Sequence, residues 1–208
     1  MKHSFLFVMF FVKSVGLSTC VFASNIPERN YCDVEYKKHT EILKNNNMEK
    51  DVQFYKDMND QLSVLIKKCE DHSGLFALMA YNLLPLQKNL EALSYAAKAL
   101  HIDPENAEAM YVKGVVLSLL GDKEGSIELI KKSVETTPEN LIYKVGYCST
   151  LELFGEYKKA IIACSELIDK NEAPAIIYFI RGRAYKALGD NNNAQNDKEL
   201  YEKFKASE

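Results

Sequence analysis

The chain has 208 residues, of which 47% are hydrophobic, and its 26 basic and 29 acidic side chains give a net charge of -3. A mildly acidic chain without a long basic run is a poor candidate for binding nucleic acid or an anionic membrane surface. The apolar fraction is ample for a packed core, and the length suits one elongated domain.

Residues 1–23 have the composition of a secretory signal peptide. A basic start at Lys2 precedes the apolar run Phe5–Val12, and Val21-Phe22-Ala23 at the end form a cleavage site. Lys13 interrupts the apolar run, which is then too short to span a membrane. Cleavage would remove two lysines and no acid, which changes the net charge from -3 to -5. Two alternatives are a lipid anchor at Cys20, within a loose lipoprotein box, and an uncleaved membrane anchor. A cleaved signal peptide, a lipid anchor and an uncleaved anchor all predict export, to the periplasm or the medium.

Residues 24–72 are predicted to form an N-terminal helical cap. After a short lead, helical spacing of apolar residues predicts one helix over 32–43 and a second over 49–69. The two helices would fold into a hairpin whose apolar side covers the start of the following segment.

Residues 73–206 repeat with a period of 34 residues. The units are 73–106, 107–140, 141–174 and 175–206, and no insertion or deletion breaks the spacing. Each unit reads as two short amphipathic helices joined by a turn. The recurring positions are a turn glycine (Gly121, Gly155, Gly189), a small residue in the first helix (Ala80, Gly114, Cys148, Gly182) and a small residue in the second (Ala92, Ser126, Ala160, Ala194). An internal repeat of this length predicts an all-α array of stacked antiparallel helix pairs.

These positions resemble the tetratricopeptide repeat family. The first unit carries the family pattern at Phe76, Met79-Ala80, Leu83, Ala92, Ala96, Ala99 and Pro104, and the last unit at Tyr178, Gly182, Tyr185, Gly189 and Ala194. Departures are Lys144 in place of an aromatic residue, Gln87 in place of the turn glycine, and no closing proline in the fourth unit. The resemblance implies a right-handed superhelix, an α-solenoid of four repeats, in which the first helices line a groove.

In the family this groove binds a segment of a partner protein. Carried over unit by unit, the predicted lining is Tyr81 and Leu84; Tyr111, Val115 and Ser118; Ile142, Val145, Ser149 and Glu152; and Ile176, Phe179, Arg183 and Lys186. The lining is apolar and aromatic, with a basic pair near its C-terminal end. The alternative is that these side chains pack between repeats or lie beneath a terminal helix.

Four cysteines remain after the predicted cleavage: Cys32, Cys69, Cys148 and Cys164. The hairpin would bring Cys32 near Cys69, and an exported protein favours a disulfide there. Cys148 and Cys164 face each other across one unit, either as a second disulfide or as two buried thiols. A zinc site of Cys32, His39, Cys69 and His72 is a further alternative for the cap.

No pattern for catalysis or cofactor binding occurs in the chain. Carboxylates such as Glu105, Glu108 and Glu124 lie at predicted helix starts, where they would face solvent. We therefore expect a protein that is not an enzyme, needs no cofactor or metal and binds another protein or peptide, with neither nucleic acid nor membrane insertion after signal cleavage. The leading hypothesis is an adaptor of the bacterial cell envelope, and the alternatives are a periplasmic chaperone or assembly factor and a secreted effector.

Overall fold

The computed structural model describes residues 28–45, 50–170 and 173–206, and these form ten α-helices and no strand. The helices are α1 (Glu28–Lys44), α2 (Val52–Lys68), α3 (Ser73–Leu83), α4 (Asn89–Ile102), α5 (Ala107–Leu119), α6 (Lys123–Thr136), α7 (Leu141–Leu153), α8 (Tyr157–Asp169), α9 (Ala175–Ala187) and α10 (Asn191–Lys205). The predicted signal peptide and the alternative lipid site at Cys20 lie outside the described residues.

Helices α3 to α10 form four successive antiparallel pairs. Each first helix packs against its own second helix, and each second helix packs against the first helix of the next pair. First helices of neighbouring pairs also touch one another. The predicted all-α solenoid is therefore confirmed. Within the described ranges, no helix combines the length and apolar composition needed to cross a bilayer.

The starts of the first helices repeat with the same period as the sequence. His72, Asn106 and Asn140 are 34 residues apart, and each side chain accepts a hydrogen bond from a backbone N–H in the first turn of α3, α5 or α7, at 3.2, 2.9 and 3.0 Å. Asp122 and Asp190 do the same for α6 and α10. Such caps satisfy backbone donors that have no partner within the helix.

The turn between the helices of each pair requires a left-handed backbone. Gly121, Gly155 and Gly189 have φ of 81°, 76° and 81°. In the first unit Gln87 occupies the equivalent position and adopts a φ of 58°. Glycine tolerates this conformation, whereas a side chain with a Cβ costs about 1–2 kcal/mol there.

The N-terminal cap is an antiparallel hairpin. A disulfide joins Cys32 to Cys69, and the His39 imidazole lies 3.3 Å from the Gln61 side chain, so that α1 runs back along α2. Helix α2 makes the larger contact with α3, and α1 makes a smaller one. Helix α1 begins four residues earlier than predicted. One side of it reaches over the first helices of the repeats, as in the alternative that places lining residues beneath a terminal helix.

The last helix closes the other end of the array. Arg181 on α9 makes two hydrogen bonds with the buried Asp197 carboxylate on α10, at 2.9 and 2.7 Å. The Arg181 guanidinium donates a third hydrogen bond to the Ser165 hydroxyl on α8, at 2.9 Å. Helix α10 starts at Asn191, directly after its capping residue Asp190.

We expect Gln87→Gly to stabilise the fold by about 1 kcal/mol, because it removes the backbone strain at a positive φ. The matched control is Gly121→Ala, where an added Cβ would meet no atom within 4 Å, so that only the backbone is perturbed. This control should lose about 1 kcal/mol. Urea denaturation of both variants measures the difference, and a destabilised Gln87→Gly would contradict the explanation.

Candidate functional site

The predicted lining residues lie on one side of α3, α5, α7 and α9, which we call the groove face. Positions 74, 108, 142 and 176 are equivalent in the four units, and so they form one column along this face. The column reads Gly74, Glu108, Ile142 and Ile176. Its members are in different surroundings, because α1 covers the first half of the face and leaves the second half open.

The open half carries an apolar patch, formed by Ile142, Ile176 and Phe179. Their exposed fractions are 49%, 41% and 42%, which is high for large apolar side chains. Ser149 is also exposed on the same face. Exposed apolar side chains grouped on one face are typical of a surface that contacts another molecule.

The basic pair at the C-terminal end of the lining is partly neutralised. The Arg183 Nε lies 3.0 Å from the Glu152 carboxylate on the neighbouring helix, and the guanidinium lies over the Phe179 ring at 5.9 Å. Lys186 is exposed. Arg183 is therefore held against the apolar patch by an ion pair and a ring, and Lys186 supplies positive charge facing solvent.

The covered half of the groove face contains a pocket of about 260 Å³, which we call the tyrosine pocket. It lies between α1 and the first helices of the first three units. The lining residues are Thr40, Leu43, Lys44, Lys50, Tyr55, Leu78, Tyr81, Glu108, Asn140, Ile142 and Tyr143. Ile142 belongs to both the pocket and the apolar patch, so the two features are continuous.

Glu108 lines this pocket and is half-buried, so the expectation that its carboxylate faces solvent is only partly right. Burial raises its pKa to about 7, and Lys44 opposes that shift. Burial raises the pKa values of Tyr36, Tyr81 and Tyr143, and the charge of Glu108 adds to each of these shifts. Among the described residues no hydrogen bond or ion pair holds the carboxylate. The sequence contained a signal that pointed to it, because Glu108 shares its column with Ile142 and Ile176.

Tyr111 contributes mainly to packing between repeats. Its ring stacks on the Tyr143 ring at 4.8 Å between centroids, and a Cβ on Gly146 would come within 2.5 Å of it. Burial raises the pKa of the Tyr111 hydroxyl. Tyr143 was missed by sequence reasoning, because it occupies a column that in the other units holds smaller residues and faces the core.

The remaining predicted lining residues are intermediate between core and surface. Tyr81, Leu84, Val115 and Val145 are half-buried. The Ser118 hydroxyl, also half-buried, donates to a backbone oxygen of its own helix at 2.7 Å. The groove face therefore offers two exposed regions to a partner, the apolar patch and the mouth of the tyrosine pocket.

The cysteines behave as two different pairs. The Cys32–Cys69 disulfide occupies both sulfurs of the alternative zinc site, and the His39 and His72 rings have protein partners in Glu35, Gln61 and Asp33. The described residues contain no group of three or more metal-binding side chains. Cys148 and Cys164 are free, buried thiols, and their mutual hydrogen bond together with burial raises the pKa of Cys164.

Comparison with solved structures places this arrangement among helical-repeat solenoids. The MamA 41-end structure from Desulfovibrio magneticus RS-1 is 14% identical, with a TM-score of 0.65 over 85% of this chain and 96% of that chain. A tetratricopeptide repeat protein from Parabacteroides merdae is 16% identical, with a TM-score of 0.61 over 88% and 67%. YrrB, a repeat protein "with an unusual peptide-binding site", is 14% identical, with a TM-score of 0.60 over 85% and 84%.

At these identities the shared property is the fold. The sequence model of the tetratricopeptide repeat family matches residues 107–140, which is the second unit. No curated protein matches the chain significantly in sequence. The repeat at 107–140 and the solenoid built on the same period together confirm the resemblance to the tetratricopeptide repeat family.

The tyrosine pocket predicts a pH-dependent stability. Because the pKa of Glu108 is higher in the folded state than its ordinary value, the folded state binds more protons, and stability falls as pH rises from about 4.5 through about 7. Glu108→Gln should therefore stabilise the fold by about 1–3 kcal/mol at pH 8 and have little effect at pH 5.

The matched control is Glu124→Gln, since Glu124 is the second residue of α6 as Glu108 is of α5, and it is exposed. Its effect on the helix dipole is equivalent, but it lies outside the pocket. Urea denaturation of both variants at pH 5 and pH 8 measures the four differences. Equal responses of the two variants to pH would contradict the burial of Glu108.

Proposed function

We propose that this protein is a non-enzymatic scaffold that binds a segment of a partner protein along the groove face. The observation that carries the proposal is the apolar patch of Ile142, Ile176 and Phe179, which α1 leaves uncovered. Ile142 and Ile176 are equivalent residues of adjacent units, so a partner segment laid across α7 and α9 would meet the same kind of side chain at regular intervals. A groove recognises an extended or helical peptide through side-chain contacts at such regular intervals.

The fold supports this proposal by placing the patch on packed helices. Ile142 and Ile176 lie in the first turns of α7 and α9, whose other faces are packed against the second helices. A preformed surface loses little conformational entropy on binding. The printed description of YrrB refers to peptide binding by that protein, which favours the same use of a similar fold here.

We expect the double variant Ile142→Ser with Ile176→Ser to abolish binding at the groove face, because it removes most of the exposed aliphatic surface there. Site-specific photo-cross-linking from Ser149, exposed on this face, reports binding in living cells. One recurrent cross-linked product that the double variant loses would support an adaptor. A spread of products would instead favour the chaperone or assembly-factor hypothesis.

The matched control is Leu119→Ser with Leu153→Ser. These leucines are also equivalent residues of adjacent units, with exposed fractions of 61% and 58%, but they lie at the turn ends of α5 and α7. The control should keep the Ser149 cross-link, and circular dichroism should show that both double variants are folded. Loss of the product in the control alone would overturn the groove as the binding surface.

The proposed location is the cell envelope or the medium. Export is supported by the composition of residues 1–23 and by the Cys32–Cys69 disulfide, since structural disulfides persist in oxidising compartments. Cys32 and Cys69 are 37 residues apart in the sequence. A disulfide between them lowers the entropy of the unfolded chain and so stabilises the fold by about 4 kcal/mol. Reduction of the protein should therefore lower its denaturation midpoint.

Mass spectrometry of the protein purified from cell fractions tests the location. We expect a mature chain that starts at Ser24, with only Cys148 and Cys164 alkylated after denaturation without a reductant. A start at lipid-modified Cys20 would identify a lipoprotein. An unprocessed chain in the cytoplasm, with all of its cysteines alkylated, would contradict export.

A further inference from the structure

Cys148 on α7 and Cys164 on α8 are the free thiols in the part of the chain that the structure describes. Both are buried, with exposed fractions of 1% and 0%, and they share a hydrogen bond within one apolar cluster of the third unit. The proposals for the groove face and for export give this pair of thiols no role. Two sulfur atoms in direct contact are nevertheless the most reactive combination of side chains in the interior of the array.

The repeat places the two cysteines where the helices of a unit cross. One period earlier the same positions are Gly114 and Ile130, and a Cβ on the glycine would lie 2.6 Å from the Ile130 Cγ1 atom. The Ile130 Cβ is one bond away from Cγ1, so the two Cβ atoms lie within the roughly 4.5 Å that a disulfide spans at most. Helices α7 and α8 keep the register of α5 and α6, and a bond between Cys148 and Cys164 therefore fits this crossing.

Packing alone does not require sulfur at this crossing. In the first unit the equivalent residues are Ala80 and Ala96, and both are completely buried. The second unit fills the same space with a glycine and an isoleucine. A pair of thiols has a property that these other pairs lack, because it can lose two hydrogen atoms and form a covalent bond between the helices.

A pocket of about 260 Å³ between α6, α7 and α8, which we call the thiol pocket, leads from the surface to this crossing. Cys148 is one of its lining residues, whereas Cys164 is not. The pocket lies where Lys144 replaces the aromatic residue of the repeat. The equivalent Phe76 and Tyr178 of the first and last units are buried, whereas Lys144 is half-buried and lines the pocket.

We propose that Cys148 and Cys164 form a dithiol site that is oxidised by a small disulfide compound entering the thiol pocket. In the first step the Cys148 sulfur attacks one sulfur of the compound, and half of the compound leaves as a thiol. In the second step the Cys164 sulfur attacks the Cys148 sulfur of this mixed disulfide, and the other half leaves as a thiol. The compound gains two electrons and the two cysteine protons, and the new Cys148–Cys164 bond joins α7 to α8.

The order of the two steps follows from the positions of the two sulfur atoms. Cys148 borders the pocket, so an entering compound meets it first. The hydrogen bond with Cys148, together with burial, raises the pKa of the Cys164 thiol. Cys164 therefore keeps its proton at the start, which leaves the first attack to Cys148.

The test starts from the folded protein with Cys148 and Cys164 as thiols and the Cys32–Cys69 disulfide intact. The protein is incubated with hydroxyethyl disulfide, alkylated during denaturation, digested with trypsin and analysed by mass spectrometry. Cleavage after Lys158 separates the two cysteines, so a bond between them appears as a linked pair of peptides. We expect this linked pair to form, with release of two thiols of the compound for each linked chain.

The matched variants are Cys164→Ala and Cys148→Ala, because alanine already occupies both equivalent positions in the first unit. Cys164→Ala should stop after the first step and accumulate the mixed disulfide on Cys148. Cys148→Ala should react at least about tenfold more slowly, since its remaining thiol does not line the pocket. Circular dichroism checks that both variants are folded.

Absence of the linked pair, or equal rates of modification in the two variants, would overturn the proposal. A rate of linking that rises steeply at low urea concentrations would overturn it as well, because the bond would then form only in unfolded molecules. The dithiol site does not depend on the groove face as a binding surface, which the Ser149 cross-link tests by itself.

Discussion

The close approach of the two helices within each pair is the constraint on which the rest of the structure depends. At Gly114 a Cβ would come within 2.6 Å of the Ile130 side chain and 3.2 Å of its backbone nitrogen. The equivalent positions hold Ala80, Cys148 and Gly182, so the pairs can approach closely in all four units. Each closely packed pair presents an apolar flank that the next pair covers, and the array is stabilised by this stacking.

A stacked array has two ends, and this chain covers them by different means. At the start, α1 and α2 form a disulfide-linked hairpin, and Asn82 on α3 donates to the Tyr55 carbonyl oxygen and the Asn59 side chain of α2, at 2.8 and 2.6 Å. At the finish, the buried Arg181–Asp197 pair ties α9 to α10. Both ends are held by directional polar contacts, which specify how the terminal helix packs where a repeat neighbour is absent.

The covering helix α1 also determines which part of the groove face is exposed to solvent. Equivalent positions of the repeat differ in exposure, because Glu108 lies under α1 whereas Ile142 and Ile176 lie beyond its reach. The same surface therefore consists of a half-covered pocket, lined by tyrosines and charged side chains, and an open apolar patch that meet at Ile142.

The sequence by itself determined the period, the helical cap and the helix pair in each unit, the turn positions and the proximity of Cys32 to Cys69. These features follow from local rules, namely helical spacing, capping side chains and glycine, repeated at a constant interval. Only the tertiary structure decided that Glu108 is half-buried beside α1, that Tyr111 stacks between repeats and that Cys148 and Cys164 remain thiols. The reason is that α1 lies outside the repeat register, so no periodic pattern predicts which side chains it covers, and the exposure of a repeated position depends on that neighbour.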